Sequence, residues 1–163
     1  MPRFLAVLLT AGAVLWTAAL VVAPFVLLAH HPRLVRAAAV VYEGAGRICH
    51  QRSERSFHLA GVQLPVCARC TGLYVSGAIG AVAAWIGSRR RVTTPRRARA
   101  VLLTSAVPTV VTVGLEMLGV AHPSSAMRAL AALPLGLAAG WVFVRSLRAE
   151  ARAATAVAPY DAL

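Results

Sequence analysis

The residues of this chain best suited to chemistry are three cysteines and a histidine, which lie between positions 49 and 70. Cys49 is followed directly by His50, and Cys67 and Cys70 form a Cys-x-x-Cys pair. Three thiols and one imidazole match a tetrahedral zinc site of the Cys3His type. The intervening residues 50–66 form a loop long enough to bring the two halves together. The predicted metal ligands are therefore Cys49, His50, Cys67 and Cys70.

The fourth ligand and the role of the thiols have alternatives. Side chains of adjacent residues often diverge, so His58 and Glu116 are substitutes for His50. A second hypothesis is redox chemistry, because a helix N-terminus and the neighbouring Arg69 both stabilise a thiolate. The chain would then be a membrane thiol-disulfide oxidoreductase that passes electrons to quinone, with Cys49 as the exchange partner. A third interpretation is a structural disulfide, or thiols without a ligand.

Arginines close to the thiols are candidates for an anionic ligand. Arg52, Arg55 and Arg69 lie within a few residues of a cysteine, and guanidinium groups bind phosphate oxygens bidentately. Glu116, an acid within a predicted membrane helix, and Arg128 are further candidate site residues. A commoner role at an interface is contact with the phosphates of bulk lipid. No Gly-rich phosphate loop, nucleophile elbow or pair of carboxylates is present, so a hydrolase has little support.

Composition indicates a membrane protein. Hydrophobic residues make up 59 % of the 163 residues and charged residues 13 %, whereas soluble domains have about 25 % charged residues. All 17 basic residues are arginines, against five acids, giving a net charge of +12. They cluster between apolar runs, which favours a topology signal and contact with anionic lipid head groups over nucleic-acid binding.

The elements that position these residues are apolar helices. We predict an all-α, polytopic membrane protein that forms a single membrane domain over residues 1–163. A cleaved signal peptide is disfavoured, because the first apolar run is too long. The predicted membrane-spanning helices are 4–29, 66–87, 100–120 and 127–144. They are separated by an extracytoplasmic, interfacial motif loop (30–65) and a basic cytoplasmic loop (88–99), and followed by a C-terminal tail (145–163).

Local patterns refine this layout. Residues 34–42 have the spacing of an amphipathic interfacial helix. Pro65 predicts the start of the second helix, which places Cys67 and Cys70 one turn apart on its first turn. Gly72, Ser76 and Gly80, and separately Gly136 and Gly140, predict close helix packing. These small-residue faces are candidates for homo-oligomer contacts.

The distribution of arginines predicts the orientation in the plasma membrane. With both termini in the cytoplasm, ten arginines lie inside and seven outside. The third helix then ends near the outer surface and brings Glu116, with His122 and Arg128 of the next turn, to the level of the thiols. An acid within a membrane helix points to function. The alternative is that Glu116 pairs with Arg128 or Arg69 to hold the helices together.

The signature Cys49-His50-Gln51-x-x-x-Arg55-Ser56-Phe57, followed by Val66-Cys67-Ala68-Arg69-Cys70-Thr71-Gly72-x-Tyr74, resembles that of a family of small prokaryotic membrane proteins. That family is called domain of unknown function 2085. The chain departs from the pattern at Ser53, where proline is expected. The resemblance implies a polytopic membrane protein with a Cys/His/Arg motif and brings no reaction. We therefore expect a structural or sensory zinc site, with the oxidoreductase and a non-enzymatic scaffold or assembly protein as alternatives.

Overall fold

The computed structural model describes residues 2–29, 31–86 and 94–157. Five α-helices account for most of them. The helices are α1 (Pro2–Leu28), α2 (Pro32–Gly46), α3 (Ala68–Ile86), α4 (Pro95–Met117) and α5 (Ser125–Val157). Between α2 and α3 lie a 3₁₀ turn (Ser53–Arg55) and two strands, β1 (Ser56–Leu59) and β2 (Val62–Cys67).

Within the described residues, three helical segments are long and apolar enough to cross a membrane. They are Arg3–Leu28, Pro95–Met117 and Ser125–Ala151, and they overlap the first, third and fourth predicted spans. Helix α3 corresponds to the second predicted span and has 19 residues. It is not among the three segments, because Arg69 in its first turn lowers the hydropathy of so short a helix.

The prediction of an all-α chain is wrong in one region, because β1 and β2 form an antiparallel hairpin before α3. Pro65, expected at a helix start, lies within β2, and Cys67 is the last residue of that strand. The hairpin turn contains Ala60 and Gly61, both with positive φ (49° and 83°). Two successive left-handed residues give the turn a twist that matches the strands it joins.

Two further boundaries differ from prediction. The tail expected from position 145 is helical as far as Val157, because its alanines and arginines are strong helix formers. The basic loop expected at 88–99 ends earlier, since Pro95 begins α4 and the arginines after it form the first turn. Residues 88–93 of that loop, His30 and positions 158–163 lie outside the described residues. The amphipathic helix predicted at 34–42 is present as the central part of α2.

The glycines of α3 and α5 bring these two helices into backbone contact. A Cβ atom on Gly72 would collide with the carbonyl oxygen of Ala129, and one on Gly80 with that of Leu137. In the opposite direction, Gly136 faces the carbonyl of Leu73. The predicted small-residue faces therefore pack against each other within one chain, as close approach of helices in a membrane requires.

Contacts along the bundle give the relative directions of its helices. Helix α1 is antiparallel to α3, because Thr17 donates to the carbonyl of Tyr74 while Trp85 donates to Thr10. Helix α4 is antiparallel to α5, because Thr109 donates to the carbonyl of Ala131 while Glu116, later in α4, contacts Arg128, earlier in α5. Helix α5 runs parallel to α3. The start of α3, the end of α4 and the start of α5 consequently meet at one end of the bundle.

The outer surface of the bundle is apolar. Large side chains such as Leu15, Leu103 and Phe143 are well over half exposed. Soluble monomers rarely expose continuous apolar surface of this extent, which marks contact with a membrane or a partner. The arrangement is typical of a protein whose outer side chains face lipid.

Candidate metal centre and arginine pocket

The β-hairpin and the end of α2 bring the three cysteines together. Cys49 follows α2 and is buried against Leu20, Ala45 and Val66. Cys67 ends β2, and Cys70 lies in the first turn of α3. The backbone N–H of Cys67 donates a hydrogen bond to Cys49 Sγ, with N and S 3.2 Å apart. This bond fixes the Cys49 sulfur beside the Cys-x-x-Cys pair.

Gln51 holds the loop that carries Cys49, and sequence reasoning did not identify it. Its backbone is left-handed (φ 48°). Its side-chain amide donates to the carbonyls of Tyr42 (2.7 Å) and Pro65 (2.8 Å). The amide of Gln63 in turn donates to the Gln51 carbonyl (2.6 Å). Gln51 thus connects α2, the cysteine loop and β2, and its place in the Cys-His-Gln signature was the available signal.

The three sulfur atoms form a compact triad. The Sγ atoms of Cys49, Cys67 and Cys70 all lie within 4.8 Å of one another, and those of Cys67 and Cys70 are 3.5 Å apart. All three thiols are free. A disulfide requires about 2.05 Å between sulfurs, whereas zinc with bonds of about 2.3 Å separates tetrahedral thiolate ligands by about 3.8 Å. The spacing is close to that of shared metal ligands.

Hydrogen bonding lowers the pKa of the Cys67 thiol to about 5. The largest cause is the hydrogen bond with the Cys70 side chain, and burial acts in the opposite direction. The backbone amides of Cys70 and Arg69 also donate to this sulfur. Cys67 is therefore a thiolate at neutral pH, which is the form that binds metals and attacks disulfides.

A second cluster adjoins the triad, centred on Glu116 at the end of α4. Its carboxylate contacts Arg128 of α5 at 2.7 Å, Arg69 of α3 at 3.1 Å and Arg55 of the 3₁₀ turn at 3.3 Å. The Glu116 side chain is only 7 % exposed. The pairs with Arg128 and Arg69, which the sequence suggested as a packing device, are both present. Glu116 therefore joins three helices and the cysteine loop.

The triad and the arginines line one pocket of about 290 Å³. Four arginines reach it, namely Arg52, Arg55, Arg69 and Arg128. Ile48 and His50 complete the wall with the three cysteines. The pocket thus combines soft sulfur donors with a strongly positive lining.

The predicted histidines occupy three different places. His50 lines the pocket with an exposed side chain, but it is not part of the group of donor atoms within 4.8 Å of one another in the described chain. His58 is exposed and hydrogen-bonds to Ser53 at 3.2 Å. His122 lies in the connection between α4 and α5 with an exposed side chain. Of the predicted ligands, the structure brings together the three thiols.

Comparison with known proteins agrees with the signature. Residues 49–142 match the family described as "Predicted membrane protein (DUF2085)". An uncharacterized protein of Methanothermobacter thermautotrophicus is 54 % identical over 28 residues, which are 17 % of this chain and 25 % of that protein. The chain thus aligns with about a quarter of that relative's length, and the relative's description names no activity. No solved structure matches the chain. Since the match covers more than half of its residues, the chain belongs to the DUF2085 family of membrane proteins.

Proposed function

We propose that this membrane protein binds one zinc ion through Cys49, Cys67 and Cys70, in a structural or sensory capacity. The observation that carries the proposal is the convergence of three free thiols from two separate segments within 4.8 Å. Thiolate ligands favour zinc, Cu(I) and iron–sulfur clusters over hard cations. Donation from the Cys67 amide to the Cys49 sulfur holds the ligands in place.

His50 supplies the fourth ligand in this proposal. It follows Cys49 directly and lines the same pocket as the triad. Its side chain is exposed and can rotate toward the sulfurs. Structural zinc sites are four-coordinate, so the three thiolates need one further donor. His58 is the weaker candidate because it is directed toward Ser53.

The proposed site lies at the extracytoplasmic face of the plasma membrane, in a bundle of four membrane-spanning helices with both termini in the cytoplasm. Helix α3 accompanies α5 along its length, from Gly72 beside Ala129 to Ala84 beside Arg148. Its 19 residues extend about 28 Å, close to the hydrocarbon thickness of a bilayer. At the end opposite the thiols, Arg145 and Arg148 lie over the rings of Trp141 and Trp85, as arginines and tryptophans do at a cytoplasmic interface.

A thiol-disulfide oxidoreductase is the second candidate, favoured by the 3.5 Å separation of the Cys67 and Cys70 sulfurs and the low pKa of Cys67. In that reaction the two thiols form one disulfide and release two electrons and two protons. A quinone accepts both and becomes a hydroquinone. The two functions differ in whether the thiols are held by metal or cycle between redox states.

Metal analysis of the purified protein tests the proposal. We expect about one zinc per chain in the wild type and a loss of most of it in Cys67→Ser, because a Cys3His site loses one of its four ligands. His50→Ala should bind zinc at least about 10-fold more weakly, because losing even an outer-shell partner costs about 10–100-fold, while the matched variant His58→Ala retains wild-type affinity.

The oxidoreductase predicts a different result from the same samples. The zinc site would be overturned by wild-type protein that contains no metal and has a Cys67–Cys70 disulfide. After reduction, quinone should oxidise the two thiols to this disulfide again. Mass spectrometry of the alkylated protein distinguishes the two states, since a disulfide protects both cysteines from alkylation until a reductant is added.

A further inference from the structure

The pocket beside the thiols contains more positive charge than the zinc site or the helix packing uses. Four arginines line it, and Glu116 is the carboxylate that contacts three of them. Glu54 lies 4.0 Å from Arg55, but its side chain is 66 % exposed and solvent screens the pair. Among the described residues, Arg52 pairs with no carboxylate within 4.0 Å. One acid therefore faces four guanidinium groups.

This excess is present with and without zinc. In metal-free protein, four arginines, Glu116 and the Cys67 thiolate leave two uncompensated positive charges at the pocket. A zinc ion held by three thiolates contributes one net negative charge, which also leaves two. Positive charges gathered in a low-dielectric pocket raise the local concentration of anions. Gathering these positive charges in one pocket is electrostatically costly, and an anion would relieve that cost.

The guanidinium groups also have unsatisfied hydrogen-bond donors. Each arginine carries five N–H groups, and Glu116 accepts from only a few of them. The buried Nε atoms of Arg69 and Arg128 have no acceptor among the described residues. Arg128 is only 7 % exposed, so water does not reach most of its donors. A ligand with several charged oxygens would provide acceptors for the guanidinium donors that line the pocket.

We propose that this pocket binds a phosphate group, contacted by Arg52, Arg55 and Arg128 beside the cysteine triad. Phosphate offers charge and multiple oxygens in the geometry that arginine binds bidentately. The volume of about 290 Å³ lies at the small end of ligand pockets, which suits a phosphate group better than a peptide. The phosphate belongs either to a lipid head group or to a free phosphate ion. This inference needs no metal and is independent of the proposed zinc site.

Binding to purified, reduced protein in a neutral detergent tests the proposal at about 0.15 M salt, where weak surface electrostatics are screened. The probes are inorganic phosphate and short-chain dihexanoyl phosphatidic acid, and calorimetry measures the Kd of each. We expect at least one probe to bind. Tighter binding of the lipid probe assigns the site to a head group, and equal or tighter binding of inorganic phosphate assigns it to the free ion.

Two variants and a matched control locate the binding. Arg52→Gln removes an exposed side chain with no carboxylate partner, so the fold is unaffected, and Arg55→Gln leaves Glu116 two other arginines. Each should weaken phosphate binding about tenfold, because one charge-assisted contact is lost. Arg36→Gln, at an exposed position of α2 that does not line the pocket, should bind as the wild type does.

Three results would overturn the inference. They are no binding of either probe, unchanged binding in Arg52→Gln, and equal weakening in Arg36→Gln and Arg52→Gln. Zinc content of the same samples keeps the two proposals separate. If the protein contains no zinc but binds phosphate, only the zinc site is contradicted. If the protein contains zinc but binds neither probe, only the phosphate site is contradicted.

Discussion

Single hydrogen bonds decide how the cysteines of this protein behave. Cys67 lies where strand β2 ends and α3 begins, so its sulfur receives the first amides of the helix as well as the Cys70 side chain. The same residue donates its own N–H to Cys49. Cys67 is therefore both a candidate ligand and the residue that orients a second candidate ligand, Cys49.

The low pKa of Cys67 predicts its reactivity. An ordinary cysteine has a pKa of about 8.5 and loses its thiolate as the pH falls through that value. Because the pKa of Cys67 is lowered to about 5, its alkylation rate in metal-free protein should stay constant on acidification and halve only near pH 5. Mass spectrometry of iodoacetamide-treated protein follows the Cys67 peptide, with a cysteine-containing model peptide as the control. A midpoint near 8.5 for Cys67 would contradict the hydrogen-bonding scheme.

Sequence reasoning predicted which residues come together better than it predicted their surroundings. The Cys-x-x-Cys pair and the Cys-His pair can be recognised from residue types at short spacing. Helices that cross the membrane in alternating directions predicted that Glu116 lies near Arg69 and Arg128. Gln51 was missed because its role depends on a left-handed backbone and on two carbonyl partners, which no residue pattern displays. The hairpin was missed because Pro65 also suits a helix start, although Ala60-Gly61 between apolar runs is a turn signal.

At the scale of elements, α3 and α5 are joined by glycine rather than by interlocking large side chains. Their backbones touch where Gly136 faces the Leu73 carbonyl and where Gly140 faces that of Gly77. These faces are therefore occupied within one chain, and a homo-oligomer would need a different surface. The scaffold hypothesis, in which the glycines form oligomer contacts, instead requires these faces to be available to a second copy of the chain.

Replacing Gly136 with alanine distinguishes these roles. The added methyl group would collide with Ser76 Oγ and the Leu73 carbonyl, so we expect a loss of about 1–3 kcal/mol in the free energy of unfolding, as for other overpacked interfaces. The matched variant Gly114→Ala has no neighbour within 4 Å of its new Cβ, and it should be neutral or slightly stabilising. Thermal unfolding in detergent measures both. A change in oligomeric state of Gly136→Ala at unchanged stability would support the scaffold hypothesis instead.

At the scale of the whole molecule, the number of membrane crossings depends on α3. Within the part of the chain that the structure describes, three helices have the length and hydropathy to cross alone, and α3 gains its place through its packing on α5. Arg69 lowers the hydropathy of α3, whereas its small residues allow this contact, so hydropathy and packing give opposite indications. The direction of each helix along the bundle favours four crossings.

Labelling from outside the cell tests whether α3 crosses. In a variant with the three native cysteines replaced by serine, Ala60→Cys in the hairpin turn and Thr94→Cys before α4 place thiols at exposed positions on either side of α3. A membrane-impermeant maleimide should label Ala60→Cys in intact cells and Thr94→Cys only after permeabilisation. Labelling of both positions, or of neither, in intact cells would exclude a crossing α3.

The cysteine side of the pocket and the side formed by Glu116 and Arg128 require different lengths of the chain to have been synthesised. All three sulfur donors come from residues 49–70 and are supported by α1, α2, the hairpin and the start of α3. Glu116 and Arg128 arrive with α4 and α5, more than forty positions later along the chain. Under the proposed function, the growing polypeptide would be able to bind the metal during synthesis before Arg128 completes the arginine lining of the pocket.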